Sequence, residues 1–392
     1  MNWTTASLGE VTQILSGTTP DSGNPALWGG VHVWVTPTDL GKLDGLSICE
    51  SARHISDLAL REHSLPLIPK NAVVMSSRAP IGHLAIAGCE LYTNQGCKSF
   101  VCGEALDFEF LFFNLRHRME DIQALGSGST FMEVSKSALE GFEISFPRID
   151  EQRRIAARLK AQLAEVEAAR QAAQVQLRDV ALLRQRLLRQ AFDALADGPH
   201  KVLGEWATTT SGSTPSRGDK RYWSPAEIPW VKTGEVAFAP ITRTEEAISK
   251  QALAECSLTL LPPQTVLVAM IGQGKTRGQS AILEIAATTN QNCFAIQPND
   301  TWEASFLFHW LMASYYDLRE LSGGRGGSQS ALNGALLNAL KIPAPTIDDQ
   351  RRIVARLKQQ LADADALRTA LEQQLRDLDA LPQRILALAF EN

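Results

Sequence analysis

The sequence predicts an α+β protein in which two pseudo-symmetric α/β domains are separated by two long antiparallel helices that form a coiled-coil spacer. Two observations lead to this prediction. Residues 148–160 and 346–358 agree at ten of thirteen positions, at an offset of 198 residues, so the chain contains an internal repeat. Each copy continues into a segment with apolar residues in alternating steps of four and three, the spacing of a helix with a partner-facing seam.

The repeat divides the chain into four segments in the order domain, helix, domain, helix. We predict a first domain over residues 1–147, a first spacer helix over 148–197, a second domain over 198–345 and a second spacer helix over 346–392. Shorter matches at offsets of 195 to 196 extend the repeat through both domains: Leu8–Glu10 with Leu203–Glu205, SGTTP at 16–20 with SGSTP at 211–215, Trp28 with Trp223, Trp34 with Trp230, and TNQGC at 93–97 with TNQNC at 289–293.

Each spacer helix is predicted to bury an apolar stripe against the other. Roughly 40 residues at ~1.5 Å each give a helix of ~60 Å, and a lone amphipathic helix of that length cannot bury its stripe. Because the joins are short, the repeat closes best with the helices antiparallel. Pro382 lacks an amide hydrogen, so we expect it to kink or end the second helix. The predicted helix-pair interface comprises Leu159, Leu163, Val166, Leu177, Val180, Leu187, Leu357, Leu361, Leu371, Leu375 and Leu378.

Each domain is predicted to combine short apolar strands with one amphipathic helix, over residues 108–125 in the first and 304–321 in the second. A glycine- and serine-rich loop follows each helix.

The two domains differ in charge. Residues 1–147 contain 9 Lys+Arg and 16 Asp+Glu, a net charge of −7, whereas residues 201–346 contain 12 of each and are neutral.

Composition excludes several classes of protein. An apolar fraction of 44% with 21% charged residues is typical of a globular chain of two or more domains. No segment has the 18 or more uninterrupted apolar residues of a membrane span, and the first residues do not resemble a secretory signal, so we expect a cytoplasmic protein without a membrane partner. The six cysteines include no Cys-x-x-Cys pair and the seven histidines are scattered, so we expect no metal site.

The segment VLVAMIGQGKT, residues 266–276, raises the possibility of a nucleotide site. Residues 269–276 have nearly the spacing of a phosphate-binding loop, with Ala where the stricter pattern has Gly. Two features count against that interpretation. The first copy has VMSSRAPIG there, without Gly-Lys-Thr, and neither copy continues into a pattern typical of a helix. The alternative is a polar loop able to touch a phosphate backbone.

We find no motif for catalysis: no Gly-x-Ser-x-Gly, no His-Glu-x-x-His, and no Asn-Pro-Pro-aromatic run of an amino-methyltransferase. The chain is therefore predicted to bind and not to catalyse. Asn94–Gln95 and Asn290–Gln291 carry amides that can pair bidentately with adenine, although such amides also serve as local caps.

The whole chain resembles the specificity subunits of type I restriction-modification systems. The resemblance rests on the order domain, helix, domain, helix and on several local matches: Trp34–Val35 and Trp230–Val231, the two Asn-Gln pairs, Ile144–Pro147 running into Asp150–Gln152, Ile342–Pro345 running into Asp348–Gln350, and Ile-Leu-x-x-Ala-Phe near residue 390.

This resemblance implies that the domains are target-recognition domains, each of which reads one half of a bipartite, asymmetric DNA site. The helices would set the distance between the halves and dock two modification (methyltransferase) subunits, and restriction (translocase and endonuclease) subunits would join them. This chain would bind no cofactor, while S-adenosylmethionine, ATP and Mg would be bound by partner subunits. A P-loop nucleotide-binding protein and a non-catalytic protein-interaction scaffold remain alternative interpretations.

Within this frame, the residues predicted to contact double-stranded DNA are polar or cationic residues in predicted loops: Ser77, Arg78, Asn94, Gln95, Arg217, Lys220, Lys275, Thr276, Arg277, Asn290, Gln291 and Arg325.

Overall fold

The structure is a computed structural model that describes residues 3–127, 132–272, 274–321 and 331–391. The chain forms two compact units. The first unit contains residues 1–173 and 374–392, and the second contains residues 174–373. Each unit therefore holds one domain together with a part of both long helices.

The elements of the first domain and the helix that follows are β1 (Thr4–Ser7), α1 (Leu8–Val11), β2 (Thr12–Ser16), β3 (Trp28–Val35), α2 (Pro37–Gly41), β4 (Ser47–Ile48), β5 (Arg53–Ile55), α3 (Asp57–Glu62), β6 (Val73–Ser76), β7 (Leu84–Ala87), β8 (Tyr92–Thr93), β9 (Cys97–Cys102), α4 (Phe108–His117), α5 (Met119–Ala124), α6 (Lys136–Glu140), β10 (Glu143–Phe146) and α7 (Ile149–Asp193).

The same order recurs, with a 3-10 turn (Thr233–Glu235) in place of α2, in β11 (His200–Val202), α8 (Leu203–Trp206), β12 (Thr209–Ser211), β13 (Ile228–Val231), β14 (Pro240–Ile241), β15 (Glu246–Ile248), α9 (Lys250–Glu255), β16 (Val266–Ala269), β17 (Ser280–Leu283), β18 (Thr288–Thr289), β19 (Cys293–Ile296), α10 (Ala304–Ala313), α11 (Tyr315–Leu321), α12 (Gly334–Asn338), β20 (Lys341–Pro343) and α13 (Ile347–Phe390).

Among the described residues, each domain contains a five-stranded, a three-stranded and a two-stranded sheet. The strand orders in the first domain are β2-β9-β6-β7-β4, β5-β3-β8 and β1-β10, and the second domain repeats them as β12-β19-β16-β17-β14, β15-β13-β18 and β11-β20. The central strands β6 and β16 are buried along their whole length, as expected of short continuous apolar runs. The repeat detected in the sequence is thus a repeat of the complete domain topology.

The helix predicted over residues 108–125 is two helices in the structure. α4 starts at its N-cap Asp107, whose carboxylate accepts hydrogen bonds from the amides of Glu109 and Phe110, and it ends at Arg118, which leaves the helical conformation. α5 follows directly. The second domain breaks in the same way between α10 and α11, at Ser314.

Within the first unit, the end of α13 packs into the core of the first domain. Leu386 and Ala389 are buried in the same cluster as Leu159, and the Phe390 ring lies 5.4 Å from the Phe110 ring. Because residue 159 is near the start of α7 and residue 386 is near the end of α13, the two helix segments in this unit run antiparallel.

The second unit is built the same way with the roles of the helices exchanged. Leu188 near the end of α7 joins Val354 and Leu357 near the start of α13 in one buried cluster. The Phe192 and Phe306 rings lie 5.4 Å apart, matching Phe390 on Phe110 in the first unit. In this unit too the helix segments are antiparallel.

All the residues predicted to form the helix-pair interface are buried or half-buried. The buried ones are Leu159, Val180, Leu357, Leu361, Leu371 and Leu378, and the half-buried ones are Leu163, Val166, Leu177, Leu187 and Leu375. Between the apolar contacts, Arg170 pairs with Asp379 at 3.0 Å in the first unit, and Arg184 pairs with Asp365 in the second.

From the sequence, Pro382 is expected to kink or end the second helix. It does not end it, because α13 continues through Pro382 to Phe390. A proline inside a helix removes one backbone hydrogen bond. The turn beyond it buries Leu386 and Ala389 in the first domain's core, and this burial offsets the lost bond. No helix in the described residues is long and apolar enough to cross a membrane.

Candidate nucleic-acid interface

Loops that are distant in sequence meet at one end of the sheets in the first domain. The amide of Asn94 donates to Val35 O at 3.0 Å, and the amide of Ser77 donates to Gly96 O at 2.8 Å. Both bonds lie where strands end, so the loops are held by the sheet framework. We define the first loop cluster as residues 17–19, 35–37, 76–78 and 94–96.

The second domain builds an equivalent end. The amide of Asn290 donates to Val231 O at 3.0 Å, and the amide of Met270 donates to Asn292 O at 2.9 Å. Polar loops on a rigid scaffold are a common way to present binding residues. We define the second loop cluster as residues 212–214, 231–233, 269–272 and 290–292.

One glycine in each cluster is required by close backbone approach. A Cβ added at Gly17 would lie 2.0 Å from Asn94 O, and one added at Gly212 would lie 1.8 Å from Thr289 O. Any side chain would therefore push two loops of the cluster apart. This contact explains the glycine of the SGTTP and SGSTP repeats.

The Asn-Gln pairs use their side-chain oxygens inside the clusters. Asn94 Oδ1 accepts from the amide of Gly96 at 3.0 Å, and Asn290 Oδ1 accepts from the Thr233 hydroxyl at 2.9 Å. Gln95 Oε1 accepts from the Thr19 hydroxyl. In the second domain Gln291 Oε1 accepts from Thr214 at 2.5 Å. These contacts favour the cap interpretation for the asparagines, whereas Gln95 and Gln291 are exposed as well.

Ser77 is fully buried, and its hydroxyl donates to Gly96 O at 3.2 Å. The prediction that Ser77 contacts DNA is not supported, because its side chain is buried and its hydroxyl makes its contacts within the protein. Arg78 is half-buried and lies 3.9 Å from Glu133. A second cation, Lys98, lies 3.4 Å from the same carboxylate and is only 6% exposed.

Sequence reasoning missed Lys98 and Glu133. Lys98 Nζ also lies 3.3 Å from Gln95 O and 3.4 Å from the Ser77 hydroxyl, so it joins three parts of the chain. One signal was available. Lys98 is a charged residue inside an apolar strand, at the position where the repeat has Phe294, and a buried charge requires partners.

The loop that contains Lys275 does not have the geometry of a nucleotide site. The chain passes from β16 into the antiparallel strand β17, whereas a phosphate-binding loop has a helix directly behind it. Two side chains of α11 hold this loop by hydrogen bonds to its backbone. The Tyr315 hydroxyl donates to Lys275 O at 2.6 Å, and Arg319 donates to Arg277 O at 3.0 Å. Lys275 is exposed, while Thr276 and Arg277 are half-buried. Of these three, Lys275 is best placed to meet a ligand.

The strand register also corrects how the two copies of this loop align. Ser76 faces Cys97 as Ala269 faces Cys293, so Ser77 corresponds to Met270 and the two methionines of the sequence match do not coincide. The loops therefore differ in length as well as in composition.

Two further predicted residues lie on the surface beside the second cluster. Arg217 is exposed, stacks on Trp223 with 4.0 Å from its Cζ to the ring centroid, and pairs with Glu246. Lys220 is exposed in a short 3-10 turn. Arg325, the last predicted contact, lies outside the described residues.

In the part of the chain that the structure describes, no group of three or more His, Cys, Asp or Glu side chains is placed to hold a metal ion. The cysteines there are free, and burial raises the pKa of the Cys97 and Cys293 thiols to about 12.

Comparison with known proteins identifies the family. The family model of the type I restriction modification DNA specificity domain matches residues 1–176 and 201–377. The type I restriction enzyme MjaIX specificity subunit of Methanocaldococcus jannaschii is 34% identical over 157 residues, which are 40% of this chain and 36% of that protein. The EcoR124I/EcoR124II specificity subunit of Escherichia coli is 26% identical over 155 residues, 39% of this chain and 38% of that protein. The matched segment therefore spans less than two fifths of either relative.

Solved structures share the fold over nearly the whole chain. The HsdS subunit from Thermoanaerobacter tengcongensis superposes with a TM-score of 0.70 at 22% identity, covering 99% of this chain and 96% of that one. A chain from a study of complex assembly and conformational transition of the type I R-M system gives 0.73 at 24% identity, covering 99% and 97%. With the family model matched once per domain and continuing into each long helix, this chain belongs to the type I restriction modification DNA specificity family.

Proposed function

We propose that this chain is the DNA sequence-specificity subunit of a type I restriction-modification complex, and that each domain reads one half of a bipartite, asymmetric DNA site. The main support for this proposal is the comparison of the two loop clusters. The two loop clusters share their glycine and their Asn-Gln turns but differ in the side chains they expose. Equivalent scaffolds with different contact residues suit two different half-sites.

The partners we propose are two modification subunits, with restriction subunits joining the assembly. Support comes from the helix segments of the second unit, where Leu182, Leu183 and Leu367 are between 43% and 50% exposed. They line a groove of about 670 Å³ whose floor includes Val180 and Leu371. Exposed contiguous apolar surface of this kind marks protein-binding sites.

The chemistry is assigned to the partners in this proposal, which makes the chain itself non-catalytic. Adenine methylation requires the base to be rotated out of the helix into the methyltransferase, so S-adenosylmethionine would be bound by the modification subunits. ATP and Mg would serve the restriction subunits. The role of this chain is to hold those active sites at fixed positions along the DNA.

The test is methylation sequencing of DNA from cells that express the chain with its modification subunit. We expect one bipartite methyl-adenine motif, and exchange of residues 198–345 for another second domain should change only one half of it. Methylation that persists without this chain, or a motif with no gap, would contradict the proposal.

The docking surface is tested by Leu182→Asp together with Leu183→Asp. The double variant should fail to co-purify with the modification subunit. The control is Val31→Asp, at a residue that is 80% exposed in the first domain. Equal recovery of both complexes would remove the groove as a docking site.

A further inference from the structure

Each domain holds an arginine over a pair of tryptophans, and the two arginines come from different parts of the repeat. In the first domain the Arg53 guanidinium carbon lies 3.4 Å from the ring centroid of Trp28 and 5.5 Å from that of Trp34. In the second, Arg217 lies 4.0 Å from Trp223 and 5.0 Å from Trp230. The tryptophan pairs are equivalent, since both are edge-on with centroids 4.8 and 5.3 Å apart.

The arginines themselves are not equivalent. Arg53 is the cross-strand partner of Trp34, whereas the cross-strand partner of Trp230 is Glu246. Arg217 reaches the second tryptophan pair from the loop after β12. The same stacked cation is therefore built from two different segments of the chain.

The surroundings of the two guanidinium groups differ in charge. Arg217 is paired with Glu246, which also lies 3.2 Å from Lys232. The hydrogen bond from Arg217 is the main reason that the pKa of Glu246 is lowered. For Arg53, which is exposed, no carboxylate lies within ion-pair distance among the described residues.

Arg53 also lies beside the first loop cluster. The amide of its neighbour Ala52 donates to Asp39 Oδ1 at 2.9 Å, and Asp39 caps α2 through Thr36. Pro37 of that same turn approaches Gly96, since a Cβ added at Gly96 would meet the Pro37 ring at 3.1 Å. The indole of Trp34 donates to Thr18 O at 3.1 Å, which joins the tryptophan pair to the loop that binds Gln95.

We propose that Arg53 binds a backbone phosphate of the DNA at the first half-site. Arg217, which the sequence predicted as a DNA contact, makes no phosphate contact in this proposal, because its guanidinium is already paired with Glu246. The inference rests on the proposed DNA-specificity function. Stacking on Trp28 fixes the plane of the guanidinium, and its N–H groups then match phosphate oxygens with little further loss of freedom. In a domain with a net charge of −7, a locally fixed cation supplies attraction that the domain as a whole does not.

The experiment measures binding of the complex with its modification subunit to cognate duplex by fluorescence anisotropy across a salt series. Arg53→Gln should make the slope of log K against log salt less negative by ~0.9. This change is equivalent to a roughly eightfold loss of affinity at 0.1 M salt. Arg53→Lys should keep the slope but bind more weakly, because the charge remains while the flat stack and the paired donors are lost. Thermal unfolding of each variant checks that the domain is intact.

One control and one further variant make the result specific. Arg61→Gln removes the same charge from an exposed position on α3 of the same domain, and it should leave the slope within about 0.2. Arg217→Gln combined with Glu246→Gln tests the second half of the proposal: it removes an ion pair without changing the net charge, so the slope should stay unchanged if Arg217 contacts no phosphate. Equal slopes for Arg53→Gln and Arg61→Gln would overturn the inference, as would a loss in the double variant.

The binding data would differ in another way if the proposed function itself were wrong. In that case the wild-type complex would bind cognate and scrambled duplexes equally. If the wild type discriminates between them while Arg53→Gln behaves as the Arg61→Gln control does, only the assignment of Arg53 fails.

Discussion

At the scale of single residues, two buried glutamines fix the junctions between domains and helices. Gln152 and Gln350 are both 0% exposed. Gln152 accepts from the amide of Asp107 at 2.8 Å and donates to Ala105 O and Pro147 O. Gln350 makes the equivalent three bonds to Glu303, Thr301 and Pro345. The start of each long helix is thereby fastened to the domain before it.

We predict that Gln152→Ala and Gln350→Ala each lower the free energy of unfolding by roughly 2–4 kcal/mol, because three buried backbone groups lose their partner. Chemical denaturation of each variant measures the change. Gln162→Ala, on the exposed face of α7, is the control and should differ from wild type by less than about 0.5 kcal/mol. Wild-type stability in Gln152→Ala would show that the loop reforms its bonds elsewhere.

Sequence patterns anticipated some of these residues and missed others for a physical reason. Repeated residues such as Gln152 and Gly17 could be recognised as important but not explained, because their partners lie far away in the chain. Ser77 looked like a surface residue because polar type alone does not reveal burial. Lys98 escaped notice because its partner Glu133 is 35 positions away.

At the scale of elements, the long helices were predictable because one apolar period persists over some forty residues. The strands were harder, since several have only two to four residues, too few for an alternation to be recognised. The broken helices show a related limit: the apolar period runs across Arg118 without a glycine or proline to mark the end of α4.

We predict that Pro382→Ala raises the free energy of unfolding by roughly 1–3 kcal/mol, because α13 already continues through this residue and would regain a backbone hydrogen bond. The increase should appear as a higher denaturant midpoint with an unchanged m-value. The control is Pro240→Ala, since Pro240 begins the edge strand β14 and should give no comparable gain. A destabilised Pro382→Ala variant would mean that the ring packs better than the restored helix.

At the scale of the whole molecule, the compact units do not coincide with the segments of the repeat. The sequence suggests domains followed by helices, whereas the first unit combines residues 1–173 with 374–392. The predicted antiparallel arrangement places the end of α13 beside the start of α7. The burial of that end in the core of the first domain could not be read from the repeat, because an offset of 198 relates equivalent residues and not contacting ones.

We predict that Leu386→Ala destabilises the first unit by ~2–5 kcal/mol, because Leu386 is only 1% exposed in that unit's core. Hydrogen exchange should accelerate in α4 of the first domain and stay unchanged in α10 of the second. Leu388→Ala, two residues along at 73% exposure, is the matched control. Equal protection of α4 in both variants would separate the end of α13 from the first domain.

The discontinuity of the first unit also orders events during synthesis. The first domain emerges from the ribosome long before residues 374–391 are made. Until then, Leu386 and Phe390 are not present to pack on its core near Phe110. Exposed apolar surface of that kind binds chaperones or leads to misassembly. The second unit is one continuous segment, residues 174–373, and meets no such delay. We therefore expect the domain made second to complete its native packing first.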